Sequence, residues 1–162
     1  MNEQTFSQLA LEHQETLYRV AYTLLHHSED CRDVLQEALI NAWRNIHTLR
    51  NPEAFRSWMI RIVLNCAKNA LRKKKIQTVE LTDDLSAPES GIQDENLAFA
   101  LGELGEGLRL PIVLYYLEGL SVEEISRVMR LPKGTIKNRL FRGRKMMAET
   151  LTNCRKEAEA WN

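Results

Sequence analysis

The chain has 162 residues, 44% of them hydrophobic, and 22 Lys and Arg balance 22 Asp and Glu, which fits one ordinary domain or two small ones and excludes a full-size β/α barrel. The zero net charge is a sum of opposed blocks: residues 1–50 carry 4 basic and 7 acidic groups, 51–80 carry 7 and 2, 81–107 carry none and 7, and 108–162 carry 11 and 6. Neutrality therefore does not exclude a polyanionic partner, because two basic blocks stand on either side of an acidic one.

The N-terminus MNEQTFSQLALEHQ lacks the basic and then apolar pattern of a secretory signal, and no window approaches the ~18 apolar residues of a membrane span, so a cytoplasmic protein without membrane insertion is expected. Residues 6–26 place Phe6, Leu9, Leu17, Val20, Ala21, Leu24 and Leu25 at three- and four-residue spacings, which predicts a helix packed by one face. His26, His27 and Ser28 break that pattern, and Ser28 is expected to cap a second helix. Its apolar stripe is Leu35, Ala38, Leu39, Ala42 and Trp43, with Asp33, Gln36, Glu37, Ile40 and Arg44 on the other side. The Asn51-Pro52 step disfavours helix before the proline, so Ile46 to Glu53 is expected to be a loop from which Pro52 can open the next helix.

The third predicted helix carries Phe55, Trp58, Met59, Ile62 and Cys66 along one side, while Arg61, Asn65, Lys68 and Arg72 recur at helical offsets on another. It ends in the run RKKK at 72–75. Two readings of that run stand at this point, a solvated helix end and a phosphate contact, and its continuity with the basic stripe favours the second. Residues 76–96 mix acids with Ser, Pro and Gly and sustain no helical face, which predicts a flexible linker. The phrase GELGEG lacks the order and the following Lys and hydroxyl of a nucleotide-binding loop.

Leu108 to Leu117 is apolar, with Pro111 near the start of a predicted helix and Gly119 just beyond its end. Ser121 and Glu124 then stand at the two positions of a capping box, behind Leu120 as a hydrophobic staple, and Ile125, Val128 and Met129 bury the short helix that follows. Arg130-Leu131-Pro132 interrupts it, and a further helix starts at Pro132, so the pair spells a helix-turn-helix. On that last helix Ile136, Leu140, Gly143 and Met147 share one side, Gly134, Asn138, Arg142 and Lys145 lie opposite, and Lys133, Lys137, Arg139 and Arg144 flank them. Such a density of cations lets some side chains neutralise phosphates while others reach base edges. The expected fold is all-α: two small helical domains, 1–75 and 97–162, joined by a flexible acidic linker at 76–96, the C-terminal one a helix-turn-helix.

The segments DVLQEALINAW and FRSWMIRIVLNCAKNALRKKK, followed after the linker by GLSVEEISRVMRLPKGTIKNRLFRGRKMM, resemble regions two and four of the extracytoplasmic-function group of bacterial RNA polymerase sigma factors. The resemblance implies a promoter-specificity subunit that joins core RNA polymerase, directs it to promoter DNA and assists strand separation without itself being an enzyme. It implies core-polymerase binding by Asp33, Gln36, Glu37 and Asn41. It gives reading and melting of the minus-10 element to the loop near Ile46 to Asn51 and to Arg61, Asn65, Lys68 and Arg72. The minus-35 element falls to Lys133, Thr135, Lys137, Asn138, Arg139 and Arg142. Asn65 keeps a second reading as a cap or helix-packing amide. The linker acids Asp83, Asp84, Glu89, Asp94 and Glu95 either thread toward the polymerase's RNA exit path or merely solvate a tether. An anti-sigma factor is implied as a controlling partner, and the free factor is expected to be a monomer. The chain departs from the family at Cys31-Arg32-Asp33, at Asn69-Ala70, at Phe141 and at Gly143, where an alanine is usual and glycine costs about 1 kcal/mol of helix propensity.

One alternative is a one-component helix-turn-helix transcription regulator that binds duplex DNA independently of polymerase, which accounts for residues 108–148 but not for the N-terminal basic stripe. An anti-sigma or other interaction protein would have no need of DNA-facing cations. His13, His26, His27 and His47 form no metal pattern with carboxylates, and no nucleophile stands beside a base at a motif spacing, so neither catalysis nor a cofactor is expected. Cys31, Cys66 and Cys154 are odd in number and form no CxxC pair, which suits inert or partly buried thiols.

Overall fold

The computed structural model describes residues 1–77 and 92–161, and every regular element among them is helical. The first compact unit holds α1 (Glu3–Glu12), α2 (Gln14–Leu25), α3 (Ser28–Arg44), two 3-10 turns (Ile46–Thr48 and Pro52–Ala54) and α4 (Phe55–Gln77). The second holds α5 (Glu95–Glu103), α6 (Glu106–Ile112), a π-helical turn (Val113–Leu117), α7 (Val122–Met129) and α8 (Lys133–Ala160).

Helices enter the expected 76–96 linker from both ends. At its start α4 runs on through Ile76 and Gln77. At its end Asp94 caps α5, its carboxylate accepting from the amides of Asn96 and Leu97 at 2.9 and 3.1 Å, and Glu95 occupies the first turn. Those two acids serve a helix start, where carboxylates offset orphan amides and the helix dipole. Asp83, Asp84 and Glu89 lie outside the described residues.

In the first unit, the single helix expected over residues 6–26 is two. His13 leaves helical geometry at φ −104° and ψ 6°, although its amide still reaches the Leu9 carbonyl at 3.2 Å. The break brings Phe6 against Trp43 and Phe55, with ring centroids 5.3 and 5.7 Å apart, and such aromatic pairs add ~1 kcal/mol beyond the area they bury. Ser28 is likewise not a cap: it lies inside α3, whose N-cap is His27 with extended backbone and no side-chain bond to the helix amides. The acids Glu29 and Asp30 in the first turn answer the dipole instead.

Helix α4 buries Phe55, Met59, Ile60, Val63, Leu64, Cys66 and Ala67 against α2 and α3, each large side chain contributing roughly 2 kcal/mol. That face is broader than the predicted stripe, and Trp58 and Ile62 lie at its half-buried margin. On α3 the buried row is Cys31, Val34, Ala38 and Ala42, so Trp43, 40% exposed, is a lid over Phe6 and not a core residue. Burial holds the Cys31 thiol up at about 11 and also raises Cys66.

The second unit is built around α8 lying on α5, α6 and α7. Arg109 closes the C-terminus of α5: its Nε donates to the Leu101 carbonyl at 2.8 Å, and Nη2 donates to the carbonyls of Gly102 and Leu104 at 2.9 and 2.5 Å. A helix end leaves its last carbonyls short of amides, and of these three only Leu101 also receives one, from Leu104 at 3.2 Å. Burial lowers the pKa of that guanidinium, with nearby Glu106 opposing the shift. Pro111 sits inside α6 and has no amide to offer the Gly107 carbonyl four residues back; the Arg139 guanidinium donates to that oxygen at 3.3 Å. Gly143 explains its own departure from alanine, since a Cβ there would stand 2.8 Å from Ile112 Cγ1. Glycine is what lets α8 lie this close to α6.

Candidate nucleic-acid interface

Opposite the buried side of α4, Arg61, Asn65, Lys68 and Arg72 are all exposed, as are Lys73, Lys74 and Lys75. At 1.5 Å per residue the stripe from Arg61 to Arg72 spans about 16 Å of helix. Arg72 donates from Nη2 to Asn69 Oδ1 at 2.8 Å, which gives the unusual Asn69 a positioning role. Within the lysine run, Lys74 pairs with Asp30 at the start of α3, so one cation of the run is neutralised within the fold. Arg61, Asn65 and Lys68 have no hydrogen-bond or ion-pair partner among the described residues.

On α3, Asp33, Gln36 and Glu37 form an exposed acidic and amide face, with Ile40 beside them at 53% exposure. Asn41 departs from that group: it is half-buried and its Nδ2 donates to Cys66 Sγ at 3.5 Å, joining α3 to α4.

The α3–α4 loop is held by side chains. Asn45 Nδ2 donates to the Asn41 carbonyl at 2.8 Å, Thr48 Oγ1 to the Asn45 carbonyl at 2.8 Å, and Trp58 Nε1 to Thr48 Oγ1 at 3.2 Å. Asn51 Oδ1 accepts from the Glu53 amide at 3.0 Å and caps the turn at Pro52.

In the second unit both halves of the capping box at α7 are made, the Ser121 amide donating to Glu124 Oε2 at 2.8 Å and the Glu124 amide to Ser121 Oγ at 3.2 Å. Arg130 turns the chain in the left-handed region at φ 55°, and Ser126 Oγ donates to the Leu131 carbonyl at 2.6 Å, setting the entry angle of α8. Ile136, Leu140 and Gly143 then face the core, while Lys133, Gly134, Lys137, Asn138, Arg142, Arg144 and Lys145 are exposed; Thr135 and Arg139 are half-buried.

Several of these cations already have partners. Lys133 Nζ bonds Glu123 Oε1 at 2.7 Å, which holds the Glu123 carboxyl below its usual range, first by the hydrogen bond and then by charge. Arg139 holds Gly107, and Arg144 donates to the Tyr116 hydroxyl at 3.2 Å. Lys137, Asn138 and Arg142 have no such bond among the described residues. These pairings were the part invisible in the sequence, and only Pro111, a helical residue without an amide, signalled that a donor had to come from elsewhere.

No cluster of His, Cys, Asp and Glu suited to a metal occurs among the described residues, and none of their helices is long and apolar enough to cross a membrane. Residues 9–76 match Sigma-70 region 2, and residues 94–147 match Sigma-70 region 4. The RNA polymerase sigma factor SigV of Bacillus subtilis is 34% identical over 87% of this chain and 87% of its own length. The chain belongs to the extracytoplasmic-function group of sigma-70 factors. The ECF RNA polymerase sigma-E factor of Escherichia coli K12 is 35% identical, over 72% of this sigma factor and 71% of that one. The sigma-H factor of Pseudomonas aeruginosa is 32% identical over 97% of this chain and 91% of its own. The solved structure of the sigma factor RpoE bound to the anti-sigma factor NepR, from Bartonella quintana, shares the fold with a TM-score of 0.75 at 23% identity, covering 91% of this chain and 96% of that one. CnrH, solved with the cytosolic domain of CnrY, gives a TM-score of 0.68 at 26% identity, covering 94% and 90%.

Proposed function

We propose that this sigma factor divides its work between its two units, with no catalytic step of its own. The reading rests on one observation: the exposed cation stripes that α4 and α8 carry over a buried face, Arg61 to Lys75 and Lys133 to Lys145, lie within the segments matching regions 2 and 4. Asp33, Gln36 and Glu37 on α3 bind core RNA polymerase, where carboxylates and amides suit arginine donors. Asn41 supports that face from its margin while bonded to Cys66.

Arg61, Asn65, Lys68 and Arg72, with the preceding loop, bind the minus-10 element as its strands part. The cations hold the backbone of the exposed strand, and binding an unstacked base offsets part of the unpairing free energy. Lys133, Thr135, Lys137, Asn138 and Arg142 at the start of α8 read the minus-35 duplex, Arg and Asn being suited to guanine and adenine edges. Arg139 contributes from the edge of that set, since one of its nitrogens is engaged with Gly107. The same reading includes a cytoplasmic location, a monomeric free state and a controlling anti-sigma factor as partner.

The division is tested by two variants assayed in parallel. Charge reversal at Asp33 and Glu37 is expected to abolish co-elution with core polymerase, and Lys137→Ala to weaken promoter binding while leaving co-elution intact. Equal loss of both activities in both correctly folded variants contradicts the division.

A further inference from the structure

We infer that Thr48 and Trp58 form a clasp that presets the α3–α4 loop, leaving His47 and Arg50 as the side chains that this loop offers to promoter DNA. The inference rests on the proposal that the loop takes part in reading the minus-10 element. The side chains at the loop's corners are engaged with its own backbone. Asn45 holds the Asn41 carbonyl and Asn51 holds the Glu53 amide, while Thr48 holds the Asn45 carbonyl and receives the Trp58 indole N–H. Ile46 and Leu49 are half-buried. Between these fixed positions His47 and Arg50 are exposed and have no hydrogen bond or ion pair among the described residues.

Both carry the chemistry that base reading needs. Arginine offers a planar fork of donors, and imidazole stacks on a base while donating or accepting at its edge. The clasp matters because Trp58 belongs to α4, the helix with the cation stripe. Its bond to Thr48 ties the position of the loop to the helix along which the separated strand would lie. A loop ordered before the encounter spends less of its binding free energy on becoming ordered. Thr48 and Trp58 are thus positioning residues, and His47 and Arg50 are contact residues.

The test uses the full chain with core RNA polymerase on duplex promoters selected from a randomised library by the unmodified holoenzyme. Strand opening is followed by permanganate reactivity on each promoter and on single-base variants of its minus-10 element. Thr48→Val and Trp58→Phe are expected to slow opening about fivefold, the order of one lost hydrogen bond, and to flatten discrimination at one minus-10 position. Thr48→Ser, which keeps the hydroxyl, is expected to restore both, and a His47→Ala/Arg50→Ala double variant to flatten discrimination at that same position.

If the double variant flattens discrimination while Thr48→Val and Trp58→Phe leave it intact and only lower the melting temperature, the clasp is overturned and the loop's part in reading stands. Full discrimination at every minus-10 position in the double variant overturns the inference together with the reading beneath it.

Discussion

Helices α4 and α8 look alike in sequence, each a long helix with an apolar side and a cationic one, yet they hold their cations differently. On α4 the stripe residues Arg61, Asn65 and Lys68 stand exposed without partners among the described residues, and the internal bonds fall at Arg72 and Lys74 toward the far end. On α8 the engaged cations are interleaved with the open ones: Lys133 meets Glu123, Arg139 meets Gly107 and Arg144 meets Tyr116, while Lys137 and Arg142 stand apart. A count of positive charges therefore overstates the set of open cations on α8 more than on α4. For Arg139 the reason lies in packing: α8 lies against a helix containing Pro111, and the guanidinium supplies the donor that this helix lacks.

The packing side of this contrast should show the largest effect. Gly143→Val is expected to destabilise the second unit by about 3 kcal/mol in urea unfolding, because the added atoms collide with buried Ile112. A compensating Ile112→Ala should recover part of that loss, whereas an unchanged midpoint in Gly143→Val would show that the close approach imposes no constraint. Next come the two arginines of α8. Arg142→Ala should weaken promoter binding about tenfold with the melting temperature held, while Arg139→Ala should lower stability by about 1 kcal/mol and promoter binding less. The reverse pattern would erase the distinction between engaged and open cations.

Helix starts offer a finer comparison between the two units. Ser121→Ala should cost about 1 kcal/mol because both bonds of its capping box are made, whereas Ser28→Ala should lie within about 0.5 kcal/mol of the parent. The smallest effect is a pH dependence. The folded pKa of Glu123 is depressed by Lys133, so its contribution is fully present above the ordinary glutamate value of 4.5 and fades as pH falls through the lower folded value. Thermal melts from pH 6 downward should show a slightly shallower decline for Glu123→Gln, and an identical slope would count against the pair.

Much of this was legible in the sequence where a single helix face or a local motif carried the signal. The two all-helical units, the capping box at Ser121 and the exposed row from Arg61 to Arg72 follow from spacing alone. What the sequence hid were contacts between residues far apart in the chain. The break at His13 serves Phe6 packing on Trp43 and Phe55, and Asn41 is half-buried beside exposed Asp33, Gln36 and Glu37 because its amide found Cys66. Arg139 belongs to a helical pattern that looks like a contact surface, and only the missing amide of Pro111 gives it other work. Gly143 reads as a weak point in helix propensity and proves to be a position where Ile112 leaves no room for a Cβ.

Promoter-specific initiation is the activity that a sigma factor adds to core polymerase. Core RNA polymerase is supplied with duplex promoter, nucleotides and either the purified chain or buffer, and the transcripts are resolved to the base. A discrete start site is expected that appears only with the chain and vanishes in the Asp33/Glu37 charge-reversal variant. A chain that shifts the same duplex without core polymerase, yet yields no specific transcript with it, would be a polymerase-independent regulator and not a promoter-specificity subunit.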